Sequence, residues 1–333
     1  LGQFTEAWQL STDVLQRCLD AEALSQTLTV YNLMAEIRLR QARYTEVPGL
    51  TGKVINSLLP ETSQEDLGRA YLLWGQSLAA LADWHRAASK LATAERHLSS
   101  SAQPLIQIPV LLAQATVQAQ QQVTAPLPMA MQTVLAKLET VSDPLLLGQS
   151  YLTLSQIQFR LGQAELALAA AETAVAHLRS AGANGLAHGL LQRAAVQIYL
   201  GQFQKALADL QLAGDLFDGM DDVPGQLKLY LLWGYEYHGG LGDWRQARRR
   251  LVRVGKLLTT QAKQAKDESM VVQEGIRLWL GLGHVALQTK RWPQATASLQ
   301  KVMTAVSHQR LVWWQPAANY AWGMLLLARA ESA

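Results

Sequence analysis

Cysteine is nearly missing from this sequence. Cys18 is the single one in 333 residues, which excludes an internal disulfide framework and suits a reducing cytoplasm. Long apolar runs are missing too: none comes near the roughly 18 or more residues of a membrane span, and there is no signal peptide. No membrane partner is expected. Neither sign of charge prevails, and a formal net charge of +3 makes no whole-protein argument for nucleic acid.

Catalytic signatures are equally scarce. The seven histidines include no pair three or four apart, and there is no His-Glu-x-x-His; with one cysteine, a zinc site is not expected. No Gly-x-Ser-x-Gly elbow and no dinucleotide fingerprint occur. Gly49-Leu50-Thr51-Gly52-Lys53-Val54 comes nearest to a phosphate loop. Its first glycine is at the wrong distance, and Val54 stands where Ser or Thr must hold magnesium. The aspartates 215, 218, 221 and 222 lack the order of a calcium loop and read as a solvated turn. No cofactor, metal or catalytic residue is assigned, and the chain reads as a non-enzyme.

What the sequence does contain is repetition. Tyr71-Leu72-Leu73-Trp74-Gly75 recurs letter for letter at Tyr230-Leu231-Leu232-Trp233-Gly234, 159 residues on. Trp84 follows the first glycine by nine residues, and Trp244 follows the second by ten. Turn markers of this kind, most of them an aromatic with Ala three residues later, fall near 4, 44, 84, 127, 164, 203, 244 and 292; Val47 replaces the alanine after Tyr44, and Leu127 and Ala164 replace the ring. The period is roughly 40, within the range of helical solenoids. Ahead of six of these markers stands a small residue: Ala35, Gly75, Ser155, Ala194, Gly234 or Gly283, with Gly323 as the start of another copy. Glycine inside a helix costs about 1 kcal/mol relative to alanine, so its recurrence predicts a close approach of two helices. Gly2, Gly162, Gly201 and Gly242 fit the left-handed residue that ends a helix.

Trp or Tyr, then a small residue, Gly at the turn, Tyr or Phe, and Ala: over nearly the whole chain this order resembles the tetratricopeptide repeat (TPR). Two departures stand out. The proline that usually ends each repeat is mostly missing, and the spacing is about 40 rather than about 34. Longer, looser copies are similar to the sensor domains of large bacterial signalling proteins, notably the MalT-type ATP-dependent transcription regulators, and occur beside caspase-like, kinase and cyclase domains. The resemblance implies an all-α fold, an α-α superhelix of about eight helix pairs without a catalytic compartment.

One solenoid is expected over residues 1–333. Its pairs are 1–20 (partial), 24–59, 62–99, 104–141 (degenerate), 144–179, 186–218, 225–261, 267–308 and 314–333 (partial). The unmatched end helices suggest a piece of a longer polypeptide. Thr62-Ser63-Gln64-Glu65 reads as a capping box, and Asp143-Pro144 as an N-cap with proline at the first helical position. Trp84, Trp244 and Trp292 are expected at helix junctions, and Trp74, Trp233 and Trp322 beside the small residue.

The TPR resemblance also implies that the first helix of each pair lines a concave wall. At matching positions the N-terminal half offers Asn32, Glu36, Arg40, Arg69, Gln76, Gln156, Arg160 and His188, a mixed polar set. The C-terminal half offers Tyr199, Lys228, Tyr235, His238, Arg277, His284, Gln288 and Tyr320. Aromatic faces beside hydrogen-bond donors are the composition of a recognition surface. A second candidate is basic: Arg245, Arg248, Arg249, Arg253 and Lys256 fall within about 140° on one second helix, with Arg250 off the stripe. No acid stands four residues away to neutralise them. Such a stripe could hold phosphates or an acidic partner, but aromatics for base stacking are lacking, and direct nucleic-acid binding is not expected.

Two functional expectations follow. One is a module that binds a peptide, partner protein or domain of the same polypeptide in its groove, within a bacterial signalling or regulatory protein. The other is a sensor for a sugar or metabolite in a MalT-type transcription regulator.

Overall fold

The computed structural model describes residues 4–57, 63–99, 104–121, 127–220, 222–264, 269–308, 311 and 314–330. Sixteen α-helices follow one another, and among the described residues there is no strand. They are α1 (Phe4–Asp20), α2 (Leu24–Arg40), α3 (Val47–Ile55), α4 (Gln64–Ala80), α5 (Trp84–Leu98), α6 (Pro104–Gln120), α7 (Leu127–Leu138) and α8 (Pro144–Arg160). Then come α9 (Ala164–Ala181), α10 (Ala183–Tyr199), α11 (Phe203–Met220), α12 (Val223–Leu231), α13 (Trp244–Gln264), α14 (Ser269–Gln288), α15 (Trp292–His308) and α16 (Gln315–Ala330). A 3-10 turn, Tyr44–Glu46, leads into α3, and a π-helical segment, Leu232–His238, continues α12. Even-numbered helices are the first members of pairs and odd-numbered helices the second. Each first helix also touches the next first helix, so the pairs advance stepwise. The fold is a TPR-like α-α superhelix.

One turn geometry joins the two helices of nearly every pair. At Ala42, Ala82, Gly162, Gly201, Gly242 and Lys290 the chain adopts positive φ, between +55° and +76°. Around Gly162 the N–H of Gly162 donates to the carbonyl of Phe159, and that of Gln163 to the carbonyl of Gln158. The other five turns carry the same two bonds. This is the Schellman ending, which satisfies carbonyls the helix would otherwise leave open. Only three of the six positions are glycine. An L-residue held left-handed costs about 1–2 kcal/mol, so Ala82 and Lys290 carry strain. Four aspartates cap helix starts: Asp83 accepts from the N–H of Arg86, Asp143 from Leu145, Asp222 from Gly225 and Asp243 from Gln246. At the start of α4 the cap is Ser63 with Asp66, one position later than the expected box; Ser63 Oγ accepts from the Asp66 N–H at 2.9 Å and donates to its carboxylate at 2.7 Å. Thr62 lies outside the described residues.

The small residues do what their recurrence predicts. A Cβ on Gly75 would come within 2.7 Å of Leu91 and 3.4 Å of the Ala87 carbonyl; on Gly234, within 3.0 Å of Arg250 Cβ and 3.1 Å of the Ala247 carbonyl. On Gly283 it would meet Leu299 at 2.7 Å. Ser155, at the same register, donates its hydroxyl to the carbonyl of Ala167 at 2.7 Å. At Gly75, Ser155 and Gly234 the first helix presses on the backbone turn around the marker alanine, and at Gly283 on the leucine one turn further on. Ala87, Ala167, Ala206, Ala247 and Ala295 are fully buried. The apolar interior is accordingly a string of clusters between neighbouring helices instead of one central core.

Stacking the pairs bends the ribbon back on itself. Gln273 on α14 donates to the carbonyl of Ala80 at the end of α4, across 193 residues of sequence. A hollow of about 240 Å³ lies between Phe4, Leu39, Arg40 and Tyr44 on one side and Asn184, His188, Asp222, Lys228 and Glu274 on the other. The first helices therefore face each other across an inner lumen. Inside it Glu36 accepts from Arg40 at 2.8 Å and from Arg69 at 2.7 Å. Asn32 is a correction: expected on the wall, it is fully buried and donates to the Asp66 carbonyl at 3.0 Å, tying α2 to α4.

Two outcomes test this packing. Ala82→Gly and Lys290→Gly should each stabilise the protein by about 0.5–1 kcal/mol, because relief of the left-handed strain exceeds the added chain entropy; urea unfolding midpoints measure it. Gly75→Leu should destabilise by about 1–3 kcal/mol or more through overpacking against Leu91, seen as a lowered thermal midpoint by circular dichroism.

Candidate functional site

One repeat breaks the nine-residue register between small residue and marker. Gly234 stands ten residues before Trp244, where Gly75 stands nine before Trp84. The extra residue is absorbed as the π-helical segment Leu232–His238. Packing on either side is kept. Arg250 lies over the Trp233 ring at 3.7 Å, as Lys90 lies over Trp74 at 3.9 Å, each cation six residues after its marker tryptophan. With Gly234 pinned against Ala247, the surplus backbone swells toward the lumen. Tyr235 and Glu236 are exposed there, whereas Trp233 and Tyr237 are buried. Single π turns inside α-helices occur often at functional sites.

Beside this swelling the lumen wall opens into a recess of about 660 Å³, between α12 with its π segment, α14 and α16. Leu231, Leu232, Leu280, Leu287, Ala317, Ala321 and Met324 make an apolar wall, with Lys228, Tyr235, Glu236, Arg277, His284, Gln288, Trp314 and Tyr320 around it. The volume lies in the range of small-molecule and peptide-side-chain sites. Tyr320 is 72% exposed and Tyr235 41%, so two large rings stand open to the lumen. His284 is held edge-on by both Tyr235 and Trp244, each at 5.6 Å. Burial pushes the His284 imidazole below its usual range, which keeps it neutral at pH 7.

The charges of the recess are unevenly satisfied. Arg277 donates to buried Glu274 at 2.7 Å, and its guanidinium lies 5.7 Å from the Trp314 ring. Glu236 makes no hydrogen bond or ion pair among the described residues. It is reached by water, yet the walls of the recess stand close around it; that desolvation pushes its carboxyl above the usual range, and Arg277 only partly offsets the push. Arg160, at the end of α8, is held below the ordinary arginine range by burial and by the like charge of Arg277. Arginine stays charged even so.

Six of the eight expected groove residues meet in this one recess: Lys228, Tyr235, Arg277, His284, Gln288 and Tyr320. Tyr199 and His238 do not. Tyr199 ends α10 and packs edge-on against Phe159 at 5.4 Å, 67% exposed outside the recess. His238 closes the π segment, where the added residue turns it away; it packs on Tyr237 at 5.1 Å and lies 3.9 Å from Asp243. Glu236, Trp314 and Met324 were missed. The ten-residue gap was the available signal for Glu236, and nothing in the sequence marked the other two. Of the basic stripe, Arg245, Arg248, Arg249 and Lys256 are exposed on α13 and make no ion pair among the described residues. Arg253 is exposed too, but it has partners that its own helix does not show: Asp218 of α11 lies 3.7 Å away and the Tyr230 ring 4.4 Å beneath its guanidinium. Trp313 and Asp221 lie outside the described residues.

No family model and no curated protein sequence matches this chain. Solved structures do match in fold. A Rap protein complexed with competence and sporulation factor superimposes with a TM-score of 0.68 at 9% identity, over 89% of this chain and 80% of that one. A chain of the APC/C hetero-tetramer Cut9–Hcn1 gives 0.63 at 16% identity, over 98% of this chain and 53% of that one. A signal transduction ATPase with numerous domains (STAND), which carries a tetratricopeptide repeat sensor, from Pyrococcus horikoshii, gives 0.54 at 12% identity, over 96% and 52%. The chain thus spans about half the length of the last two. At these identities the likeness is one of fold: stacked TPR-like helix pairs. Among the described residues no helix is long and apolar enough to cross a membrane.

The state of Glu236 gives a pH test. Its folded pKa lies above the unfolded one, so between the two the folded form binds more protons and stability falls as pH rises. Glu236→Gln should raise the melting temperature at pH 7.5 and lose that advantage near pH 4; melts across this range measure it.

Proposed function

We propose that this chain is a non-catalytic binding module whose lumen holds a segment of a partner polypeptide, one apolar side chain of which enters the recess between α12, α14 and α16. The observation that carries the reading is the recess itself: an apolar wall with two exposed tyrosines, neutral His284 and two cations opening onto the lumen. A peptide lying along the first helices would meet amides and guanidinia outside the recess, at Gln76, Gln156 and Arg160. The superimposed Rap protein carries competence and sporulation factor, and the STAND protein's repeats are described as a sensor. Both likenesses support recognition of a protein segment, and we place the module within a larger bacterial signalling or regulatory protein in the cytoplasm, the partner being another protein or another domain of the same polypeptide.

A second reading has its own support. A recess of about 660 Å³ is large enough to take most of a drug-sized molecule, so a small effector such as a sugar or metabolite could sit there, as in the sensor of a MalT-type transcription regulator.

Peptides selected from a random library against the immobilised protein test the first reading. Tyr235→Ala and Leu287→Glu should each weaken the selected peptides at least about tenfold, the loss expected of a central contact, while thermal melting of Tyr235→Ala changes little. Peptides that bind both variants as well as the parent would place recognition elsewhere. Stabilisation by a metabolite library, with no peptide recovered, would favour the small effector.

A further inference from the structure

The net charge of +3 conceals a strong asymmetry. Residues 244–333 hold 14 of the 29 lysines and arginines but only 4 of the 26 acidic residues. The preceding part is net acidic. Neither α13 nor α15 contains a single acidic residue. Both are second helices, on the side of the ribbon away from the lumen, so this charge does not belong to the recess.

On α13 the cations divide into two groups. Arg250 and Arg253 are spent on the protein itself, over Trp233 at 3.7 Å and over Tyr230 at 4.4 Å. Arg245, Arg248, Arg249 and Lys256 are exposed and make no ion pair among the described residues. At 100° per residue these four lie within about 100° of one another. Val252, 42% exposed, sits at the centre of that arc, four residues from both Arg248 and Lys256. The ridge is an apolar contact ringed by cations along a helix of 21 residues, about 30 Å long.

The geometry points to a docking ridge on α13 for an acidic, amphipathic helix of a partner protein. Charge complementarity sets the sign of the partner. The arginine forks favour planar carboxylates or phosphates, and the choice between these rests on two further observations. Val252 gives an apolar partner residue a seat among the cations, which a phosphate backbone does not use. The nearest rings, Trp233 and Tyr230, are already covered by arginines, and Trp244 is half-buried against His284. Among the described residues, these three rings leave no open face beside the ridge for a base.

The probe is a fluorescein-labelled synthetic peptide of glutamate and alanine with leucines four apart, about 20 residues long to match α13. Anisotropy titrations would compare it with its glutamine analogue, a single-stranded oligonucleotide of similar length and anionic phosphatidylserine vesicles. The acidic peptide should bind most tightly, and the glutamine analogue should not bind. The triple variant Arg245→Gln, Arg248→Gln, Arg249→Gln should weaken binding about tenfold, the combined effect of three exposed ion pairs of modest strength. Val252→Ser should weaken it severalfold with the charge intact. Circular dichroism of both variants should match the parent, since all four side chains are exposed. Tyr235→Ala should leave this binding unchanged, which separates the ridge from the recess. Unaltered affinity in the triple variant would overturn the proposal. So would an oligonucleotide or vesicles that bind more tightly than the peptide and are released by the same substitutions.

Discussion

The structure depends on a close approach repeated along the chain, in which a small residue of one helix presses on the turn of backbone that carries a buried alanine in the next. Gly75 on Ala87, Ser155 on Ala167 and Gly234 on Ala247 are versions of the same contact. At 2.7–3.4 Å from a Cβ to its neighbours, there is no room for a larger side chain at the glycines. This fixes the spacing of each helix pair. Because most pairs are built alike, stacking them bends the ribbon steadily until α14 reaches α4 through Gln273 and Ala80. The lumen is thus a consequence of a contact made many times over.

Within that uniform frame, one added residue makes the difference. The π segment leaves the Gly234 contact and the Trp233–Arg250 stack in place, and the residues it exposes lie on the lumen side. There it presents Tyr235 and Glu236 to the recess and turns His238 away from it. A departure from the repeat is tolerated where it meets open space, and open space is where a ligand can be met. The outer face obeys a different logic. Second helices need only one apolar stripe to pack, so their far side is free to collect charge of one sign, as α13 does.

Much of the architecture could be read from residue order. The recurring Tyr-Leu-Leu-Trp-Gly, the alanine after each marker and the glycines before each second helix announced paired helices, because these features act locally and at fixed separation. Some local details were harder. Ser63 caps α4 with Asp66, since two acceptors close together compete for the same helix start and only the backbone path decides between them. Ala82 and Lys290 take the left-handed position without being glycine, and their neighbours' hydrogen bonds hold them there. Arg253 looked unpaired on its own helix because its acid, Asp218, comes from another.

What the sequence determined by itself was the all-helical repeat, its register and the residues whose size permits close packing. It also held, as a ten-residue gap, the one irregularity that matters. Only the tertiary structure decided that Lys228, Tyr235, Arg277, His284, Gln288 and Tyr320 share a recess, that Trp314 and Met324 complete it, and that Tyr199 and His238 stand apart. The physical reason is distance along the chain. Helix formation and turn geometry are settled by residues within a few positions of one another, whereas the lumen wall joins helices from successive repeats, and their mutual placement follows from the accumulated bend of the whole ribbon.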